Sequence, residues 1–361
     1  MQKSFLTIAI LASIVGGASA QSSVTAYGII DYAGVIDSGA MQGKSVRLTS
    51  GAGRADRLGF KGTEDLGDGY AAAFTLETGF CGDSAAPVVT SVPVKNSAGA
   101  TIGTTTTSVP NFCTANNQFM GRQAHGDLSG AFGAISAGRV YSLGYQNLSA
   151  IDPFGAGYAG RVNNIVDASA TRLNNAVQYR TPNFGGFTGA IEASLGETTG
   201  NWKASREVGA SGVYAKGPAY AGLAYYAVNN ANGQDQARRN WLLGGSYDFG
   251  VARLHGLVQK SDGSPTGAAK LDVVEWMLGT SVPLASGTLM ASYVHRDDRS
   301  VKDQDANQVG VGYNYPLSKR TSMYAAFARI VDRHGAPFLV GNQTDTGTGS
   351  KALNLGMMHN F

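Results

Sequence analysis

Residues 308–316 read QVGVGYNYP, where Val309, Val311, Tyr313 and Tyr315 alternate with Gln308, Gly310, Gly312 and Asn314. Successive side chains on a strand point to opposite faces, so this run sorts large apolar groups onto one face and small or polar groups onto the other. In water, a face of two valines and two tyrosines needs a second layer to cover it. The chain shows no capped segment of helical period that could form that layer. Two stacked sheets could cover it, but a sandwich of so many antiparallel strands would be unusual. A closed ring with hydrocarbon outside buries the apolar face and leaves no open edge.

Outward from this unit the rhythm holds. At the carboxyl end, KALNLGMMHNF puts Leu353, Leu355, Met357, His359 and Phe361 on one face, with an aromatic residue last. Before it, NAVQYRT, FTGAIEASL, AYAGLAYYAV, NWLLGGSYDF and LDVVEWMLGTSV follow one another, joined alternately by tight turns such as PNFGG, KGP and PLASG and by longer polar loops. Near the start, VTAYGIIDYAGVI places Val24, Ala26, Ile30 and Tyr32 opposite Thr25, Tyr27 and Asp31, and the next unit, Ser45 to Gly62, is broken at the glycines of SGAG. The count is sixteen strand-like units, an even number, with short turns at one rim and long loops at the other. The expectation is an all-β fold: a sixteen-stranded antiparallel transmembrane β-barrel.

Composition is compatible with this reading and excludes others. Charged residues are 15% of the 361, and Gly reaches 50 against 10 Pro. A mean hydropathy of −0.09 neither shows nor excludes a barrel, because polar inner positions cancel apolar outer ones. The formal net charge is +3, one unit of it from Lys3, a near-neutral balance that argues against nucleic acid as a partner. Residues 1–20 read as a secretory signal, with Lys3, an apolar run from Phe5 to Val15 and Ala18-Ser19-Ala20 before a cut at Gln21; the alternative is a short membrane anchor. Residues 21–361 are then one barrel domain. After residue 20 no run approaches the roughly eighteen apolar residues of a spanning helix.

Two stretches break the alternation. Tyr141 to Arg172 carries Asp152, Arg161, Asp167 and Arg172 among Gly and Asn, with no sustained period of two or of 3.6. Such a loop suits water, and inside a closed wall it can fold into the lumen and narrow it. Gly79 to Asn117 is rich in Thr, Ser and Gly and reads as an exposed loop. Its ends hold Cys81 and Cys113, the only cysteines. In an exported chain two cysteines usually pair, which would stabilise by about 3 to 4 kcal/mol at most; the alternative is two free thiols in a mobile loop.

The blocks SSVTAYGIIDYAG, DRLGFKGTEDLGDGY, GRQAHGDLSGAFGAISAGR, IDPFGAG, NAVQYRTPNFGGF, PLSKRT and the terminal HNF resemble the general diffusion porins of Gram-negative outer membranes, in their betaproteobacterial branch. The resemblance spans the mature chain. It implies a homotrimer set in outer-membrane lipid that passes ions and small hydrophilic solutes, with the third loop folded into each pore. It also implies that Phe361 is read as an assembly signal by the barrel assembly machinery, after escort by periplasmic chaperones. Arginines of the wall would face acids of the loop across the constriction: Arg57, Arg122 and Arg172 against Asp152 and Asp167, with Arg47, Arg139 and Arg161 as further candidates. At about 8 Å and an effective dielectric of ~20 each such pair interacts by roughly 2 kcal/mol, enough to orient a dipolar solute and too little to shut the pore. Asp127, in AHGDLSG, departs from the family pattern.

Other chemistry finds no support. Gly155, Gly157 and Gly160 spell GxGxxG without the strand and helix that a dinucleotide site needs. The five histidines show no HExxH, and no G-x-S-x-G elbow exists, so no cofactor, metal or catalytic residue is expected. A barrel enzyme, and a barrel that binds one specific ligand or acts as an adhesin, are the competing readings. The second would be favoured by aromatic tracks along the lumen, where most positions here are small or polar.

Overall fold

The computed structural model describes residues 23–40, 43–83, 88–95, 101–109, 118–166, 170–264 and 270–361. The expected signal segment, Cys113 and Asp167 lie outside the described residues.

The chain runs β1 (Ser23–Ala40), β2 (Gly43–Ser50), β3 (Arg57–Gly67), β4 (Tyr70–Gly79), β5 (Val88–Lys95), β6 (Thr101–Val109), β7 (Gln123–Gly130) and β8 (Gly133–Tyr141). Helix α1 (Leu143–Ile151) follows, then β9 (Arg172–Arg180), β10 (Phe187–Ser194), β11 (Glu207–Lys216), β12 (Ala219–Val228), β13 (Arg238–Asp248) and β14 (Arg253–Gly263). The last five are β15 (Leu271–Leu284), β16 (Gly287–Asp298), β17 (Ala306–Pro316), β18 (Thr321–Asp332) and β19 (Lys351–Asn360). Every wall pairing is antiparallel, and β19 pairs back to β1 from Ile29 opposite Asn360 to Ser38 opposite Lys351, which closes the ring.

The wall has sixteen positions. β2 and β3 share one of them: β1 pairs with β3 through Ser23–Ile29 and with β2 beyond Tyr32, and residues 51–56 leave the wall between the two. This is the break anticipated at SGAG. β5 and β6 form a separate two-stranded sheet, so the stretch from 79 to 117 is not irregular throughout, as the sequence suggested. The Thr run of β6 carries no apolar alternation to reveal it.

Exposure follows the alternation. Val309, Val311 and Tyr315 are exposed while Gln308 is fully buried; Leu355 and Met357 are exposed while Asn354 is fully buried. The apolar face therefore points away from the rest of the protein on every side of the ring, the opposite of a water-soluble sheet. The ring is finished by Phe361, whose N–H and C=O exchange hydrogen bonds of 3.1 and 3.2 Å with Gly28. A side chain at Gly28 would meet the Phe361 ring, so this closure depends on glycine there.

The buried core lies between residues 145–166 and the face of the wall that carries Ala224, Leu242, Leu257, Met277, Tyr324 and Ile330. Part of the segment expected to be structureless is helical. Ser142 caps α1 by accepting the Tyr145 N–H at 3.2 Å, and nine residues give too short a window for the 3.6-residue period to show.

Candidate functional site

The bend at 51–56 is shaped by one carboxylate. Asp31 of β1 accepts the N–H groups of Gly53 at 2.8 Å and Arg54 at 2.6 Å, and the Tyr324 hydroxyl at 2.5 Å. With both oxygens taken, the turn is fixed, and Arg54 stands exposed while residues on either side of it are buried. Arg57 opens β3 just beyond, its Nε donating to Ala55 O at 3.0 Å.

Three of the five expected constriction residues are brought together. Arg122 donates from Nε to Glu77 Oε1 at 2.7 Å and from a guanidinium nitrogen to the Tyr141 hydroxyl at 2.9 Å. Arg172 donates to the same hydroxyl at 2.9 Å, with its guanidinium 4.6 Å from the ring centre. Arg57 lies 3.8 Å from Glu77 Oε2, which also accepts the Tyr27 hydroxyl at 3.1 Å. Tyr141, Glu77 and Arg54 thus belong to the site, although arginine spacing in the sequence pointed to none of them as its organisers. Glu77 was legible as an acid on the polar face of YAAAFTLETGF, and Tyr141 only by position, since it ends β8 where the alternation stops.

The segment 142–166 is pinned to the wall by polar contacts on many strands. Glu192 of β10 accepts the Leu143 N–H at 3.1 Å, at the N-terminal end of α1 where free N–H groups favour an anion. Asn147 donates to Ser211 on β11 at 2.9 Å, and His255 on β14 donates to Ile151 O at 2.7 Å. On β17, Gln308 donates to Gly160 O and Arg161 O at 3.1 and 3.0 Å, and Asn314 donates to the Tyr158 hydroxyl at 3.1 Å. Tyr158 meets Tyr324 of β18 edge to face at 4.9 Å. Between this segment and the arginines lies a cavity lined by Arg54, Arg57, Tyr141, Tyr145, Gln146, Ser149 and Ala150.

Of the two expected acids, only Asp152 lies among the described residues. Asp152 does not face the arginines: its oxygens accept the N–H groups of Phe154 at 3.1 Å, Ala156 at 2.9 Å and Val162 at 3.1 Å. The chain after α1 turns through Gly155, Ala156 and Tyr158 at positive φ and cannot satisfy those donors by regular structure. Burial pushes this carboxyl up to about 6, which leaves it ionised at neutral pH. The countercharge to the arginines comes instead from Glu77, beside them on the wall itself.

Three further arginines have other work. Arg161 is held by Asn164 at 2.8 Å, and burial lowers its pKa to about 10. Arg47 pairs with Asp37 at 2.7 Å and Asp345 at 2.6 Å at the rim. Arg139 donates to Gly121 O at 2.6 Å and to Asn174, beside the site. Asp127, without an explanation in the sequence, lies 3.0 Å from His125 Nδ1 two residues away on the same strand face.

A family model described as Gram-negative porin matches residues 7–335. Outer membrane porin protein 32 of Delftia acidovorans is 31% identical over the whole of both chains, and an outer membrane porin of Bordetella pertussis is 30% identical over 90% of this chain and 93% of its own. The solved anion-selective porin from Comamonas acidovorans matches with a TM-score of 0.75 at 29% identity, covering 94% of this chain and all of the other. Together with the closed sixteen-position wall, these place the chain among the Gram-negative porins, outer-membrane channels for passive diffusion and not enzymes.

Proposed function

We propose that residues 141–172 lie across the lumen as the constriction of this porin, and that the constriction favours anions. The supporting observation is an asymmetry of charge. Four inner-face acids are buried and already engaged, Asp31 by the bend, Glu192 by α1, Glu77 by Arg122, and Glu275 by Arg296 and Gln259, and the more exposed Asp248 is paired with Arg253. Arg54 and Arg57 line the cavity against the α1 face of Gln146, Ser149 and Ala150, which carries no acid. Glu77 is shared between Arg57 and Arg122, so the cluster keeps a net positive charge, and a narrow aqueous path between low-dielectric walls concentrates its field. Contacts from 142–166 to β10, β11, β14, β17 and β18 support its place inside the ring, since those strands surround one interior and their apolar faces point outward. The solved Comamonas acidovorans porin is itself described as anion-selective.

The mature chain begins at Gln21, Cys81 pairs with Cys113, and three copies assemble through the barrel assembly machinery reading Phe361. Cys81 is in a disulfide, and Phe361 is exposed at the closing seam. Reconstitution in a planar bilayer under a KCl gradient tests the proposal. A zero-current potential of the sign for chloride, with closures in thirds under voltage, is expected; a potassium-selective sign removes the anion preference, and closure of the whole current in one step removes the trimer.

A further inference from the structure

Asp56 ends the bend that carries Arg54, and it is 2% exposed. Its Oδ1 accepts the Asp31 N–H at 2.6 Å, while its Oδ2 is buried with no hydrogen-bond partner. The adjacent Asp31 is differently placed, with three donors on its carboxylate. Two neighbouring carboxyls in one buried site do not both ionise readily, and hydrogen bonds to the charged form decide which keeps the charge. Asp31 has those bonds. A bare buried oxygen on an ionised Asp56 would carry its desolvation cost without compensation.

The charged groups that face Asp56 come from three elements. Burial holds its proton on most strongly, joined by the charges of Asp31 on β1 and Asp83, just after β4; the bond from the Asp31 N–H and the charge of Arg57 at the start of β3 favour losing it and are outweighed. Asp83 accepts the Ser50 hydroxyl at 2.8 Å. The bend lies outside the wall strands, and the carboxyl there is pushed up to about 7.

We infer that Asp56 tunes the selectivity of the constriction through its protonation: neutral, it leaves the positive charge of Arg54 and Arg57 undiminished; ionised, it offsets one unit of that charge and weakens the preference for anions. This rests on the constriction and charge reading above. An ionised Asp56 would offset the field of Arg57 next to it and repel Asp31, whose carboxylate fixes the Gly53 and Arg54 amides. The device is a carboxyl kept out of the lumen yet within the reach of its field.

The test is the zero-current potential in a KCl gradient at roughly pH 5.5 and roughly pH 8.5, either side of about 7, for the wild type and Asp56→Asn. The wild-type chloride-over-potassium permeability ratio is expected to fall about twofold or more on going to alkaline pH. Asp56→Asn, permanently neutral, is expected to keep the acid value at both. Asp56→Ser, neutral and smaller, gives the same readout if Asn hinders assembly. A pH dependence in the neutral variants equal to that of the wild type overturns the inference, as does a wild-type ratio that does not move. A channel that prefers potassium at both pH values, yet loses its pH shift in Asp56→Asn, supports the role of Asp56 and removes the anion reading beneath it.

Discussion

Glu77 and Arg122 form a buried ion pair, Nε to Oε1 at 2.7 Å, within one wall of the barrel and not across the channel. The acid that tempers the arginine cluster is therefore on the same side as the arginines, and the loop opposite contributes none to the cavity. Glu77→Gln is expected to raise the chloride-over-potassium ratio by about two- to fivefold, since one unit charge at channel distances in partly aqueous surroundings is worth about 1 kcal/mol or less. Arg122 keeps its bond to Tyr141, so the wall should stay folded. An unchanged zero-current potential in a correctly folded variant contradicts the assignment.

Asp152 separates two roles that the sequence could not. As a structural acceptor for Phe154, Ala156 and Val162 it should matter for order and not for selectivity. Asp152→Asn, which turns a donor toward at least one of those N–H groups, is expected to cost the segment roughly 1 to 3 kcal/mol and to raise open-channel current noise. The zero-current potential should hold. A large selectivity change without added noise would restore Asp152 to the constriction.

The ring was legible in the sequence because a lipid-exposed strand announces itself: Val309, Val311 and Tyr315, or Leu355 and Met357, repeat with a period of two that no tertiary context disguises. Arg57, Arg122 and Arg172 were legible only through the resemblance of DRLGFKG, GRQA and the stretch before NAVQYR to the porin family. What stayed hidden depended on backbone detail. Asp152 precedes Pro153 in a loop, and nothing in DPFG tells whether its carboxylate looks outward or is taken up by later N–H groups. Helix α1 is too short to show a period, and Tyr141 is one tyrosine among 16 until three arginines are seen around it.

The orientation of the wall can be tested with single charges. Leu243 is 54% exposed on β13, and its neighbour Leu242 is 1% exposed against the core. Leu243→Arg is expected to destabilise the barrel by about 2 to 4 kcal/mol near mid-membrane, read from refolding in lipid vesicles at graded urea. A neutral effect would place that face in water.

Phe361 closes the seam through its backbone, while its side chain is exposed. Phe361→Ala should therefore refold in detergent with near-normal yield, yet accumulate poorly in the outer membrane, several-fold below wild type. A loss of refolding in detergent equal to the loss in cells would make Phe361 a packing residue and not a signal.

The Cys81 to Cys113 link is expected to leave the denatured, unreduced protein without maleimide reactivity and to yield two labels after reduction. One or two labels before reduction contradicts the pairing.

With the native cysteines so occupied, a single new thiol can report where α1 lies. Ala150 is exposed and faces Arg54 and Arg57 across the cavity. In Ala150→Cys channels held open in a bilayer, a bulky thiol reagent is expected to cut the conductance by more than half, in three steps. Modification confirmed by mass with the conductance unchanged would contradict the placement of this segment at the constriction.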